Sequence, residues 1–136
     1  MKRDAALVPL ARDHHEALVL ARRACKAGAG LDDLREEVLQ CWRDRIAPHF
    51  GIEERVLFPA LAAAGGQVAV EKALQQHARL RAAVDEVHAG DATALAVWGA
   101  AMTEHVRFED RELFPLAERL LDLGALAPAL RGTASS

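Results

Sequence analysis

The sequence predicts an all-α protein, an up-down-up-down antiparallel four-helix bundle with a metal centre in its core. Three observations predict it. Apolar residues recur at helical spacing through four long segments. Short joints rich in Gly and Asp separate those segments. The apolar side of each segment is interrupted by a histidine. Composition agrees: 51% of the 136 residues are apolar, only 4% are aromatic and there is no Tyr. Such a balance favours helix over strand, and the length suits a single core.

The first eight residues read as a tail. Pro9 suits a first helical turn, and Leu10, His14, Leu18 and Ala21 line one side of a helix that should end at Gly28-Ala29-Gly30. A second helix starts near Leu31-Asp32-Asp33, with acids in the first turn where the helix dipole favours them. Its inner stripe reads Val38, Trp42, Ile46, His49, Glu53, Val56 and Ala60, with Gly65-Gly66 closing it. Pro48 and Pro59 fall inside this stretch, so a kink is expected near one or both.

The third helix, from Val68 to Ala89, turns Val70, Ala73, Leu74, His77, Leu80, Val84 and Val87 inward. Gly90-Asp91 separates it from the fourth, for which Asp91 is a suitable N-cap. That last helix carries Leu95, Trp98, Met102, His105, Glu109 and Leu116 and should fade near Gly124. The bundle is thus expected over residues 9–127, with a frayed tail over 128–136. Short joints between long amphipathic helices make neighbours antiparallel.

Residues 42–59 and 98–115 align without a gap as WRDRIAPHFGIEERVLFP and WGAAMTEHVRFEDRELFP. Seven of the eighteen positions coincide, and they include both tryptophans of the chain, so the second and fourth helices read as copies of one element. Within each copy a glutamate follows a histidine by four residues: His49 and Glu53, His105 and Glu109. On a helix that spacing stacks the two side chains on one side, aimed at one point.

A lone histidine on an apolar stripe is usually a hydrogen-bonded core residue, and a His–Glu pair four apart is often a surface pair. Four histidines on four helices, with a duplicated pair, are harder to explain that way. Buried imidazoles and carboxylates are costly unless they are paired or bind metal. Imidazole suits iron, copper, nickel and zinc, and a carboxylate can span two cations. His14, His49, Glu53, His77, His105 and Glu109 therefore make a candidate dinuclear metal site. Ferritin-like bundles place Glu before His at spacing three, the reverse of the order here.

Two other histidines are less suited by position, and His15 reads as an exposed residue or one that supports the site from outside. His15 points about 100° away from the side shared by Leu10, His14, Leu18 and Ala21. His88 lies eleven residues beyond His77, about 16 Å along the axis.

The segments RDHHEAL (from Arg12), HFGIEERVLFP, QQHARLR and HVRFEDRELFP together resemble the hemerythrin superfamily, in its bacterial His-His-Glu cation-binding branch. The resemblance spans nearly the whole chain, and the duplicated HxxxE followed by LFP is its most specific part. It implies two iron ions, with Mn or Zn as substitutes. His14, His49, His77 and His105 would be terminal ligands, and Glu53 and Glu109 would bridge beside an oxo or hydroxo group. Asp110 occupies the place where animal hemerythrins carry a bridging aspartate. It stands as an alternative to Glu109, and Glu54 is its counterpart in the first copy. Oxygen carriers have a further histidine one turn before the equivalent of His77, where this chain has Ala73, so the iron at His77 should keep an open position.

The function implied is binding of oxygen or nitric oxide for sensing, storage or scavenging. The alternatives are a diiron peroxidase, oxidase or nitric oxide reductase, or an iron-handling protein for iron–sulfur repair. With net charge -3 and acids and bases interspersed, nothing resembles the clustered basic surface that nucleic acid or an anionic membrane needs. No leader or spanning segment is apparent, so a cytoplasmic location is expected. Cys25 and Cys41 are expected to be reduced, semi-buried residues, with a reversible disulfide as the lesser reading.

Overall fold

The computed structural model describes residues 3–26 and 32–132, and every regular element among them is helical. A 3-10 turn, Ala5–Leu7, leads into α1, Val8–Cys25. Next comes α2, residues 32–66, then α3, Gln67–Ala89, and α4, residues 94–120. These four long helices form a four-helix bundle, and a short α5, Leu123–Gly132, follows. The predicted stop at Gly28-Ala29-Gly30 and the start at Leu31 lie outside the described residues, as does the end of the chain beyond 132.

The expected kinks take a particular form. In α2 the α-helical stretches Asp32–Cys41, Ala47–Ile52 and Phe58–Leu61 are joined by wide π turns at Trp42–Ile46 and Glu53–Leu57. In α4 a π turn at Glu109–Leu113 joins Ala94–Phe108 to Phe114–Leu120. Each of these turns ends two residues before a proline: Pro48, Pro59 and Pro115. A proline ring offers no N–H and clashes with the carbonyl four residues back. Widening the preceding turn by one residue accommodates both effects while the helix continues. The N–H groups of Ala47, Phe58 and Phe114 accordingly reach back to the carbonyls of Trp42, Glu53 and Glu109.

That extra residue shifts the buried stripe. Beyond Glu53 the fully buried side chains are Leu57, Phe58 and Leu61, not the expected Val56 and Ala60, which are half-buried. Beyond Glu109 they are Leu113, Phe114 and Ala117, while Leu116 is only partly covered. Leu74, expected inward on α3, is 42% exposed.

Gly65 takes φ 107° at the end of α2, a left-handed conformation that glycine adopts without steric cost. Gly90 does the same after α3, at φ 86°. Asp91 does not act as the cap of α4 itself. Its carboxylate accepts from Thr93 N–H (2.8 Å) and Thr93 Oγ1 (2.9 Å), and the helix starts at Ala94.

Residues 128–132, expected to fray, belong instead to α5. Leu123 and Leu130 are buried in it, packed into the same apolar cluster as Ala6, Leu7 and Leu57. Burial of those leucines offsets the cost of ordering the segment despite Pro128 inside it.

The apolar interior falls into two clusters. One gathers Ala17, Leu20, Val38, Ile46, Phe50, Leu80, Trp98 and Met102. The other gathers Leu7, Leu10, Ile52, Leu57, Phe58, Val70, Phe114 and Leu130. Along every long helix the polar residues singled out above fall between the two. Cys25 is exposed, Cys41 is buried, and both are free thiols.

Candidate metal centre

The polar layer between the clusters holds His14, His49, Glu53, His77, His105 and Glu109, each 5% exposed or less. All six residues singled out in the sequence come together there. They form two groups of potential donors, each with its atoms within 4.8 Å of one another. One consists of His14, His49, Glu53 and Glu109, the other of Glu53, His77, His105 and Glu109. Both glutamates belong to both groups.

Each carboxylate spans the two groups, one oxygen to each side. Glu53 sets Oε2 3.3 Å from His49 Nε2 and Oε1 3.1 Å from His77 Nε2. Glu109 sets Oε1 2.9 Å from His14 Nε2 and 3.8 Å from His49 Nε2, with Oε2 3.6 Å from His105 Nε2. All four imidazoles present Nε2 to the centre.

Their other ring nitrogens are held from outside. With the proton on Nδ1, His14 donates to Asp110 Oδ1 at 2.9 Å and His49 donates to Asp13 Oδ2 at 3.1 Å. His77 donates to Glu54 Oε2 at 2.7 Å, and His105 donates to Gln76 Oε1 at 2.7 Å. An acceptor on Nδ1 fixes the tautomer that leaves the Nε2 lone pair facing inward, as a metal-binding histidine requires. Asp110 and Glu54, weighed above as alternative ligands, thus take a different place: each reaches across to a neighbouring helix and orients its histidine. Asp13 and Gln76 were missed. The available signal was that each directly precedes a central histidine, so that it leaves the helix about 100° away, towards the next helix. His15 and His88 are exposed and belong to neither group.

Aromatic rings wall the imidazoles. Phe50 stacks on His77 with centroids 3.6 Å apart, and Phe114 lies parallel to His14 at 5.2 Å.

Electrostatics mark the layer as short of positive charge. Burial raises the Glu53 carboxyl above its usual range, and the Glu109 charge beside it raises it further. Burial also acts against ionisation of Glu109, but the surrounding imidazoles hold it well below the usual value. Two adjacent carboxylates thus oppose each other's ionisation, a conflict that cations between them would relieve. Burial opposes the charged form of His14, yet hydrogen bonds to Asp110 and Glu109 bring it up to about 9. Burial takes His105 down to about 4, despite the Glu109 charge.

Hydrogen bonding leaves a sharper mark. Among the described residues six buried side-chain polar atoms have no hydrogen-bond partner. Four are Nε2 of His49 and His105 and Oε2 of Glu53 and Glu109, all within this layer. Buried polar groups are nearly always satisfied, and leaving one unmade costs about 1–3 kcal/mol. Concentrated at one point, inward-facing imidazole nitrogens and carboxylate oxygens fit a pair of cations of the kind that imidazole and carboxylate bind together.

A small cavity, about 10 Å³ as traced by the centre of a water-sized sphere, adjoins the layer. Apolar side chains of Ala17, Ile46, Phe50, Met102 and Val106 line it together with Asp13, His14, His49 and His105. It offers room for one molecule of about that size. His77 is not among its walls, although His105 of the same donor group is. Ala73 is fully buried in the cluster on the other side of the layer.

Bundle and site together define a helical protein with a cation-binding centre in its core. The comparison with known families gives the same class: the model described as the hemerythrin HHE cation binding domain matches residues 6–117. The chain belongs to this family. No curated protein and no solved structure matches it.

Proposed function

We propose that the chain is a non-haem diiron protein that binds oxygen or nitric oxide at its centre, for sensing, storage or scavenging. The observation that carries this reading is the set of orphaned donors facing inward beside a small apolar cavity. His14, His49, His77 and His105 would hold two iron ions through Nε2, with Glu53 and Glu109 spanning them. Bound iron would supply the redox activity and the coordination position that a diatomic molecule requires.

The chain's own residues do the rest. Asp13, Glu54, Gln76 and Asp110 fix the imidazole tautomers. Phe50 and Phe114 keep the rings from rotating. Ala17, Ile46, Met102 and Val106 keep the cavity apolar, which suits a small uncharged ligand better than an ion.

The reading takes the bundle as up-down-up-down and antiparallel. Support comes from the order in which each helix meets the two apolar clusters. Going along α1, Leu10 of one cluster precedes Ala17 of the other; along α2, Ile46 precedes Leu57, in the reverse order. On α3 Val70 precedes Leu80, and on α4 Met102 precedes Leu113, so the order alternates again. Among the described residues no helix is long and apolar enough to cross a membrane, and the reading places the protein in the cytoplasm.

Metal analysis of the purified protein should find two iron ions per chain; a protein holding none after growth with iron, and taking up none, would sink the reading. Anaerobic reduction followed by oxygen or nitric oxide should give a stable coloured adduct. Repeated turnover of oxygen, peroxide or nitric oxide would instead favour a diiron enzyme. Ala17→Val, which fills the cavity, should slow adduct formation several-fold while leaving the iron content intact.

A further inference from the structure

We propose that the two cation positions are unequal, and that the position at His14 and His49 takes the first divalent ion. The inference rests on the dinuclear reading above and concerns the partners behind the imidazoles. Around the centre the arrangement is close to two-fold: Asp13 corresponds to Gln76, His14 to His77, His49 to His105, Glu53 to Glu109 and Glu54 to Asp110. The correspondence fails in charge.

Behind His14 and His49 stand two carboxylates, Asp110 at 2.9 Å and Asp13 at 3.1 Å. Among the described residues neither carboxylate forms an ion pair except with the histidine it holds. Arg3 bonds Glu118 at 3.0 Å and the Asp110 backbone carbonyl at 3.1 Å. Behind His105 stands Gln76, a neutral amide, at 2.7 Å. Behind His77 stands Glu54 at 2.7 Å, and its charge is met by a two-pronged contact from Arg81 (2.9 and 3.0 Å). The first position therefore has two uncompensated negative charges in its outer ring, and the second has none.

A carboxylate accepting the Nδ1–H makes the opposite nitrogen a stronger donor and adds attraction for the cation; an amide does the first weakly and the second not at all. Asp13 and Asp110 are partly solvated, with side chains 29% and 40% exposed, which screens the attraction without removing it. Both bridging glutamates are shared equally between the groups, so they do not cancel the difference. Gln76 and Asp13 act through the histidines and are positioning residues.

The test is an anaerobic titration of metal-depleted protein with cobalt(II), followed by its visible absorption. Native protein should bind in two steps, the first at least ~10-fold tighter, since outer-ring partners alter metal affinity by about 10–100-fold. His105→Ala should keep the tight step, and His49→Ala should lose it. Asp13→Asn should weaken the first step. Gln76→Glu, nearly the same shape, should strengthen the second step towards the first, a gain that damage to the fold cannot produce. Two steps of equal affinity, an unchanged second step in Gln76→Glu, or a tight step that survives His49→Ala but not His105→Ala would each overturn the inference and leave the dinuclear reading standing. Native protein that binds no cobalt would overturn both.

Discussion

At the scale of single residues, the site is organised by what each imidazole has on its two nitrogens. His14 shows the consequence for metal binding. Its ring is held up to about 9 by Asp110 and Glu109 against the effect of burial, so at neutral pH the metal-free protein keeps it protonated. A cation must displace that proton. Metal loading at pH 7 should therefore release protons, and affinity should rise with pH until about 9. Calorimetry in buffers of different ionisation enthalpy reads this directly; a heat that is the same in every buffer would contradict it. In the metal-free chain the raised His14 contributes stability that is fully present below about 6.5 and is lost as pH rises through about 9. Side-chain removal offers a second test at this scale. Glu53→Ala and Glu109→Ala each take away a carboxylate shared by both donor groups, whereas His15 is exposed and shared by neither. Iron content should fall by half or more in the glutamate variants and stay unchanged in His15→Ala.

Helix packing and helix irregularity set where those residues meet. The close approach of α1 and α4 depends on Gly99. A Cβ there would lie 2.6 Å from the Ala21 carbonyl oxygen and 3.1 Å from Ala24 Cβ. Backbone cannot yield as a flexible side chain can, so Gly99→Ala should cost about 1–3 kcal/mol, measured by urea denaturation. Because the same helix pair brings Asp110 and Glu109 to His14, iron affinity should drop as well. A variant as stable as the native protein would mean that α1 and α4 have room to separate. The π turns act along the helix axis instead. Glu53 and Glu109 each begin such a turn, so the apolar stripe on one side of them is one residue out of phase with the stripe on the other. This lets His and Glu stack at spacing four while Leu57 and Leu113 still return to the core.

For the molecule as a whole, the polar layer is a weakness that metal relieves. Two apolar clusters hold the bundle above and below it, so removal of metal should loosen the protein without fully unfolding it. The four orphaned atoms would each cost on the order of 1–3 kcal/mol while unpaired. Binding to the folded state alone adds about 2.7 kcal/mol when free metal is a hundred times the dissociation constant. Chelated protein should thus melt several degrees lower than loaded protein but retain its helical circular dichroism at room temperature. Coincident melting curves would mean that the layer is satisfied without a cation.

The all-helical fold and the six central residues were legible in the sequence because both depend on period alone. Residues four apart on a helix share a side whatever surrounds it, and one histidine on each of four inward stripes has few places to meet except a common layer. The duplicated segments marked the same residues independently. Position relative to other helices is a different matter. That Asp13 supports His49, that Gln76 supports His105, and that Asp110 and Glu54 stand outside the centre follow from how neighbouring helices are rotated against one another. No spacing within one helix records that rotation. The stripe shift after Glu53 and Glu109 was equally hidden, since the widened turn is a response to a proline further on. Burial of Leu123 and Leu130 in α5 depended on an apolar surface assembled by the 3-10 turn and α2, distant in sequence. Local periodicity determined what points inward; only tertiary packing decided what each inward residue touches, and with it the unequal charge behind the two halves of the centre.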